Sequence, residues 1–328
     1  MSKLKAAITA VEGYVPDYIL TNDELSQMVD TSDEWIMTRI GIKERHILKG
    51  EKGPSDMAEI VVKRILEKKN ISPDEIELVI CCTVTPDMVF PATANVIAHK
   101  CGIKHGFGFD INAGCSGFLY GLTTATKYIE SGFVKKAIVI GAEKMSAIVN
   151  YQDRATCPIF GDGAAAVLLE ATEGENGIID EVLYSDGEGV KHLHQVAGGS
   201  VKPASHETVD AREHFIYQEG QAVFKWAVVK MAEATEEILR KNNMSSQEID
   251  YLLPHQANMR IISATGKRLE LDNEKVLINI EKYGNTTSAT IPMLMFENQH
   301  KFKKGDNLIL TAFGAGFTWG AVLVKWAI

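Results

Sequence analysis

Apolar, often β-branched runs alternate along this chain with stretches whose apolar positions recur every three or four residues. The runs are AAITAV (6–11), LVICCTV (78–84), AIVIGA (137–142) and LILTAFGAG (308–316). Between them stand SDMAEIVVKRILEKK (55–69) and the segment after Cys115, whose Leu119, Leu122, Ala125 and Ile129 fall on one helical face. Strands alternating with helices predict an α/β protein with largely parallel, buried strands. Ser72-Pro73-Asp74-Glu75 supplies an N-cap, a first-turn proline and a capping-box glutamate, and Gly132 closes the helix after Cys115. The C-terminal LILTAFGAGFTWGAVLVKWAI is long enough to cross a membrane. Gly314, Gly316 and Gly320 split it into two β-rich runs, so it reads as two buried strands.

The pattern also repeats. NISPDEIELVICC (70–82) and NMSSQEIDYLLPH (243–255) align without gaps, each a capped turn followed by an apolar strand. Carried forward, the same offset sets Cys115 opposite Ser288 and brings AIVIGAE within a few residues of LILTAFGAG. Three matches in one order indicate a duplication, with halves 1–172 and 173–328. The region from ATEGENG (171–177) through HLHQVAGGSVKPASHE (192–207) is rich in Gly, Ser, Glu and His and reads as loop, a candidate lid.

Composition narrows the function classes. A chain of 328 residues with a net charge of −9 lacks the basic footprint of general nucleic-acid binding, but leaves room for a local basic patch. MSKLKAAITA has no apolar region of secretory length before Glu12, and no membrane segment is expected. The five cysteines form no CxxC pair, which fits a reducing cytoplasm better than a disulfide framework or zinc site. His192 and His194 have no companions at ligand spacing, so no metal is expected.

The chemistry centres on DINAGCSGFLYGL (110–122). Cys115 lies just before a helix N-terminus, where unpaired N–H groups favour negative charge, lower a thiol's pKa and can receive an oxyanion. A buried structural cysteine, the reading given to Cys81 and Cys82, fits the residue type equally well. His255 follows the strand in LLPHQANMR, and Asn285 precedes a helix-like segment in KYGNTTSATIP. In the duplicated arrangement Cys115, His255 and Asn285 share the sheet edge beyond strand ends where α/β proteins bind ligands.

At this point the chain resembles the thiolase superfamily and, within it, the β-ketoacyl-acyl-carrier-protein synthase III family. The resemblance rests on TSDEWIMTRIGIKERH, NAGCSGFLYG, FGDGAAAVL, VFKWAV, PHQANMRI, YGNTTSATIP and FGAGFTWGA, in that order over nearly the whole chain. FGAGF lacks the second cysteine of thiolases, and Asn285 stands where elongating synthases carry a second histidine. The resemblance implies a thiolase-like fold: two duplicated α/β halves in a five-layered αβαβα architecture. It implies a cytoplasmic homodimer that starts fatty-acid synthesis, with acetyl-coenzyme A the expected primer, malonyl-acyl carrier protein the second substrate and no cofactor. Cys115 would form the acyl thioester, and the N–H groups of Cys115 and Ala315 would form the oxyanion hole. His255 and Asn285 would donate to the malonyl thioester oxygen as decarboxylation builds enolate charge.

The same resemblance implies the contacts around that centre. Trp35 and Arg154 would sandwich adenine, Arg39 would meet a phosphate, and Phe224 would line the substrate site. Phe90 would reach the partner's acyl pocket, and Asn258 would hold a water and orient His255. Lys225, Arg260, Lys267 and Arg268 would receive the acidic carrier protein. Ala315 stands where relatives usually have glycine, which is unstrained only if its φ is negative. Ile40 replaces a common threonine, and Gly114 a common alanine. The alternatives weighed are an acyltransferase or a specialised-metabolite condensing enzyme on the same fold, and a non-catalytic carrier-binding subunit.

Overall fold

The alternating runs assemble into two stacked sheets. The computed structural model describes residues 4–328. The first half contributes β1 (Lys5–Tyr14), α1 (Asp33–Arg39), α2 (Pro54–Lys69), β2 (Leu78–Cys82), α3 (Thr93–Lys100), β3 (Phe107–Ile111), α4 (Gly117–Glu130), β4 (Lys136–Lys144) and β5 (Asp162–Thr172). The second contributes β6 (Gly177–Ser185), β7 (Leu193–Gln195), β8 (Ile216–Gln218), α5 (Gly220–Lys241), β9 (Tyr251–Pro254), α6 (Met259–Arg268), α7 (Thr290–Asn298), β10 (Asn307–Gly314) and β11 (Thr318–Lys325). Shorter turns and bridges join them.

Sheet one runs β1-β5-β4-β2-β3 and sheet two β6-β11-β10-β9, the same order in both halves. A parallel bridge from Leu252 to Val276 stands where a fifth strand of sheet two would lie. Only β4-β2, β2-β3 and β9-β10 pair in parallel; β1, β5, β6 and β11 run antiparallel to their neighbours. The expected largely parallel sheets are therefore mixed. β10 and β11 follow one another through a short Gly-rich turn, and a parallel pairing would need a long crossover.

Helices α2 and α3 cover the outer face of sheet one, and α5 and α6 the outer face of sheet two. Helices α4 and α7 lie between the sheets and touch strands of both, which completes the five layers. The helical face read from the sequence is the buried one: Leu119, Leu122, Ala125 and Ile129 of α4 join Ile291, Leu294 and Met295 of α7 in the central core. Gly132, in a left-handed conformation, ends α4. The Ser72 capping box opens only a single 3-10 turn, Pro73–Glu75, before β2, and its counterpart Ser246–Glu248 precedes β9.

Two expectations change here. The segment read as loop from 171 to 207 contains β6, a core strand whose GIIDEVLYS alternation is interrupted by a bulge at Ile179, opposite Leu323 and Val324 of β11. Beyond β6, β7 and β8 pair as a small ribbon that forms a wall of the main cavity. No helix among the described residues is long and apolar enough to cross a membrane.

Because α4 is packed on both faces, it has little freedom to relax into a void. Leu122→Ala, at a fully buried position, is expected to lower unfolding stability by about 2–5 kcal/mol in a denaturant titration. Lys127→Ala, half exposed on the same helix and paired with Glu130 and Glu181, is expected to cost less than about 1 kcal/mol.

Candidate active site

Two short turns at the helix N-termini of the central layer form the floor of the site. Gly114–Ser116 leads into α4 and Thr287–Ala289 leads into α7, so Cys115 and Ser288 occupy equivalent positions. The first turn is sewn to sheet two: Ser116 Oγ donates to the Thr318 carbonyl at 3.0 Å, and Thr318 Oγ1 donates to the Ala113 carbonyl at 2.7 Å. Backbone meets backbone here. A Cβ on Gly114, at φ +54°, would fall 2.6 Å from Ala315 N, and one on Gly314 would fall 2.4 Å from Cys115 N. Two peptide planes can come this close only without side chains between them.

That contact places the Cys115 and Ala315 N–H groups together. Among the described residues the Ala315 N–H has no hydrogen-bond acceptor, which leaves it available to an oxyanion. Ala315 is not among the non-glycine residues with left-handed φ (Asn70, Arg212, Asn243, Glu270 and Thr287), so its methyl group imposes no backbone strain.

Of the five cysteines only Cys115 is not buried; it opens onto the main cavity. The helix N-terminus suggested a thiol pulled downward, and the shift runs the other way. Burial first, and the Glu143 carboxylate second, push it up to about 12, against a smaller pull from its own backbone N–H. The sulfur meets the cavity rather than bulk water, so desolvation outweighs the turn's dipoles. At rest it is a thiol.

Glu143 is itself buried and pushed up to about 7 by desolvation, against hydrogen bonds from Thr85, Ser288, Val84 and Thr83. Ser288 Oγ lies 2.8 Å from Glu143 Oε1 and 2.6 Å from the Cys82 carbonyl oxygen, which ties the second turn to sheet one.

His255 continues the β9 ladder, its N–H donating to the Thr311 carbonyl at 2.8 Å. Gln256, fully buried, clamps the chain behind it. Its Nε2 donates to the Pro254 carbonyl at 2.8 Å, and its Oε1 accepts from Asn279 and Ile280 N–H at 3.0 and 3.1 Å. Asn285 is bridged to Phe160, and its Oδ1 accepts the Thr287 N–H at 2.8 Å. With Oδ1 spoken for, its amide N–H₂ is the free end. His255 Nδ1 lies 2.7 Å from Thr290 Oγ1, while its buried Nε2 has no partner. Burial alone pulls the His255 imidazole down to about 3, so the ring is neutral.

Cys115, His255, Asn285 and Ala315 line one cavity of about 990 Å³, together with Trp35, Arg39, Phe224, Lys225, Asn258 and Arg260. Arg154 stands at its rim, its guanidinium 5.0 Å from the Trp35 ring centroid and bonded to Asp30 at 3.1 Å; Arg39 approaches the same ring at 5.2 Å. Arg260 lies over Phe224 at 5.2 Å. Phe90, Lys267 and Arg268 do not line the cavity. Phe90 and Val89 are 82% and 86% exposed at a loop tip, and Arg268 pairs with Glu236.

Asn258 lines the cavity and also serves the fold. Its Oδ1 caps α6 through the Arg260 N–H at 2.8 Å, its Nδ2 donates to the Arg39 carbonyl at 3.3 Å, and it makes no bond to His255. The His255 partner is Thr290, which the sequence reading passed over along with Gln256. Among the described residues no group of three or more His, Cys, Asp or Glu is arranged to hold a metal ion.

Comparison with known proteins follows the same residues. The family described as 3-oxoacyl-[acyl-carrier-protein] synthase III matches residues 109–187, and the family of its C-terminal part matches 239–326. The β-ketoacyl-[acyl-carrier-protein] synthase III of Phocaeicola vulgatus is 56% identical over 99% of this chain and 98% of its own. The synthase III 1 of Bacteroides thetaiotaomicron is 55% identical with the same coverage. The crystal structure of 3-oxoacyl-[acyl-carrier-protein] synthase III from Aquifex aeolicus, 41% identical, superposes with a TM-score of 0.90, covering 98% of this chain and all of that one.

A neutral imidazole held below its solution pKa of about 6.5 has a sign that can be checked. The unfolded chain binds a proton there that the folded chain refuses. This contribution to stability is therefore complete above about pH 6.5 and is lost as pH falls toward about 3. The His255 resonance in an NMR titration is expected to stay neutral down to pH 5, and titration near 6.5 would show that water reaches the ring. Ala315→Gly is expected to leave acylation within about threefold, since no strain is relieved.

Proposed function

This chain belongs to the 3-oxoacyl-[acyl-carrier-protein] synthase III family, and from that premise we propose how its residues start fatty-acid synthesis. An acyl-coenzyme A, acetyl in the first instance, enters the cavity past Trp35, Arg39 and Arg154. Cys115 attacks its thioester carbonyl while the Cys115 and Ala315 N–H groups hold the tetrahedral oxyanion, and coenzyme A leaves. Malonyl-acyl carrier protein follows. Its pantetheine thioester meets His255 and Asn285, which donate to the carbonyl oxygen as carbon dioxide departs. The resulting enolate carbon attacks the acyl-Cys115 and frees the β-ketoacyl-carrier product.

The observation that carries this reading is one cavity that brings together the Cys115 thiol, the buried and unpartnered His255 Nε2 and the Asn285 amide fixed through its Oδ1. Decarboxylation generates the carbanion without a strong base, so the site needs preorganised neutral donors and little else. Lys225 and Arg260 at the cavity are the cations best placed to meet an acidic carrier protein, with Lys267 and Arg268 farther along α6. The exposed Val89-Phe90 tip suits contact with a second copy of the chain, the homodimer expected from the resemblance. Acyl transfer to another acceptor would need neither His255 nor Asn285 as donors to a malonyl group, and both are present here.

Intact-mass spectrometry separates the two half-reactions. The protein incubated with acetyl-coenzyme A is expected to gain one acetyl group, to lose it on addition of malonyl-acyl carrier protein, and to gain none as Cys115→Ser. Asn285→Ala is expected to acylate normally and to condense at least about 10²-fold more slowly. Discharge of that variant at the wild-type rate would remove Asn285 from the mechanism.

A further inference from the structure

Arg45 is the only lysine or arginine buried among the described residues, and it has no exposed surface at all. It sits in a short ribbon in which Ile19–Thr21 pairs antiparallel with Glu44–His46, directly opposite Leu20. Its Nη1 donates to the Leu20 carbonyl at 3.1 Å and its Nη2 to the Pro158 carbonyl at 2.9 Å, while Nε has no partner. Among the described residues the arginines in ion pairs are Arg154 and Arg268, and Arg45 is in none. Burial pulls its pKa down to about 10, which leaves it charged at neutral pH. An unpaired buried charge is costly, and an apolar residue would fill the space without that cost. What an apolar residue cannot do is span two carbonyls with one rigid fork.

Those carbonyls belong to the two walls of the cavity mouth. The ribbon brackets residues 22–43, and that insert carries Trp35 and Arg39 on α1. Its base is closed by Asn22, whose Nδ2 donates to Asp33 Oδ1 and to the Ile42 carbonyl, both at 2.8 Å. Pro158 belongs to the opposite wall, which carries Arg154 at the rim and Ala155, Ile159 and Phe160 in the cavity lining. Among the described residues nothing else donates to the Pro158 carbonyl. Two glycines leave room for the Arg45 stem: an added Cβ on Gly161 or Gly284 would lie 3.1 or 3.4 Å from Arg45 Cβ.

Across the mouth the walls also meet through Arg154, 5.0 Å from the Trp35 ring and bonded to Asp30. That ion pair is exposed and holds little. At 5.0 Å no flat ring fits between the two side chains, so a stacked base requires Arg154 to swing aside and close over it. A fixed backbone on both sides gives that closure a defined spacing.

We propose that Arg45 is a positioning residue: its buried fork sets the spacing of the Trp35 and Arg154 walls, and so gives the enzyme its preference for acyl donors that carry a nucleotide over the bare pantetheine thioester. The inference rests on the entry route given above for acyl-coenzyme A. Arg45 itself makes and breaks no bond.

S-Acetyl-pantetheine keeps the thioester and arm of acetyl-coenzyme A and lacks the nucleotide, so it reports acetylation of Cys115 without the slot. Arg45→Lys keeps a charge and a stem and loses the two-carbonyl span. Its KM for acetyl-coenzyme A is expected to rise about tenfold, the effect of one lost hydrogen bond to a charged group, with kcat within about threefold. With S-acetyl-pantetheine its kcat/KM stays within about threefold of wild type, and Arg45→Gln gives the same split.

Equal losses with both donors would reduce Arg45 to a structural part and overturn the proposal, as would an unchanged KM for acetyl-coenzyme A. Arg45→Lys behaving as wild type while Arg45→Gln loses would overturn it by showing that charge, not span, matters. Wild-type protein carrying ¹⁵N-arginine gives a reading free of variants. Bound adenosine 3′,5′-bisphosphate is expected to move the Arg154 signal and to leave the Arg45 Nη–H groups protected from exchange with water. Loss of that protection on binding would overturn the proposal even if neither variant folds. Wild-type protein that fails to acetylate at Cys115 with either donor would instead sink the underlying reading, a distinguishable outcome.

Discussion

Everything at this site depends on how closely two backbones touch. The turn carrying Cys115 and the loop after β10 meet where Gly114 and Gly314 leave no side chain between them, with a would-be Cβ only 2.4–2.6 Å from the opposing nitrogen. That contact gathers two N–H groups from opposite halves of the chain into one anion-binding spot. It also sets the distance between the sheets, because α4 begins where the contact ends. A methyl group at either glycine would push the Cys115 and Ala315 backbones apart. Geometry of the site and packing of the central layer are thus one constraint, and neither can be tuned alone.

The second organising fact is burial. Burial raises the Cys115 thiol and the Glu143 carboxyl and depresses His255, so desolvation works against charge on all three and favours a neutral thiol and a neutral imidazole. A resting thiolate would be a stronger nucleophile, but it would also be an uncompensated buried charge. A neutral thiol and imidazole suit a reaction in which the charges arrive with the substrates. An acyl thioester brings developing oxyanion character, and a malonyl group brings a carboxylate that then disappears. The protein's contribution is to have donors already pointing at the places where charge appears.

Much of this was legible in the chain itself, and the failures share a cause. Caps, glycines and periodic faces are local, so the α4 face and the two C-terminal strands could be read directly; both helix and strands lie where they were expected. Motif spacing placed Cys115, His255 and Asn285, and the fold brings all three to one cavity. What escaped depends on neighbours far away in sequence. β6 was hidden because Asp180 and Glu181 and a bulge interrupt its alternation, yet pairing with β11 makes it a strand. The N-cap role of Asn258 also escaped, because it shows only once α6 is seen to begin there and its first N–H groups need an acceptor. Thr290 and Gln256 carried no signal, since a threonine at a helix start and a glutamine beside a histidine are unremarkable until the contacts are seen. The direction of the Cys115 shift escaped for the same reason, because the helix terminus is visible in sequence and the burial of the sulfur is not.

Duplication explains why so much function fits into so little space. The two turns at the N-termini of α4 and α7 began as equivalents and now differ in one residue's use. Cys115 faces the cavity, while Ser288, its counterpart, turns inward to the Cys82 carbonyl and Glu143. The inward serine anchors the second turn to sheet one as Ser116 anchors the first to sheet two. The stretch 285–290 is thereby held rigid enough to present Asn285 through the Thr287 N–H and His255 through Thr290. Thr287 must adopt a left-handed backbone to do both, its φ of 53° bringing its N–H to Asn285 and its carbonyl to Thr290. Such strain persists only where the surroundings over-determine it. Here they do, because the turn is bridged to Phe160 on one side and bonded to Glu143 on the other. One turn presents Cys115 to the cavity, and its counterpart is the rigid mount for Asn285 and, through Thr290, for His255.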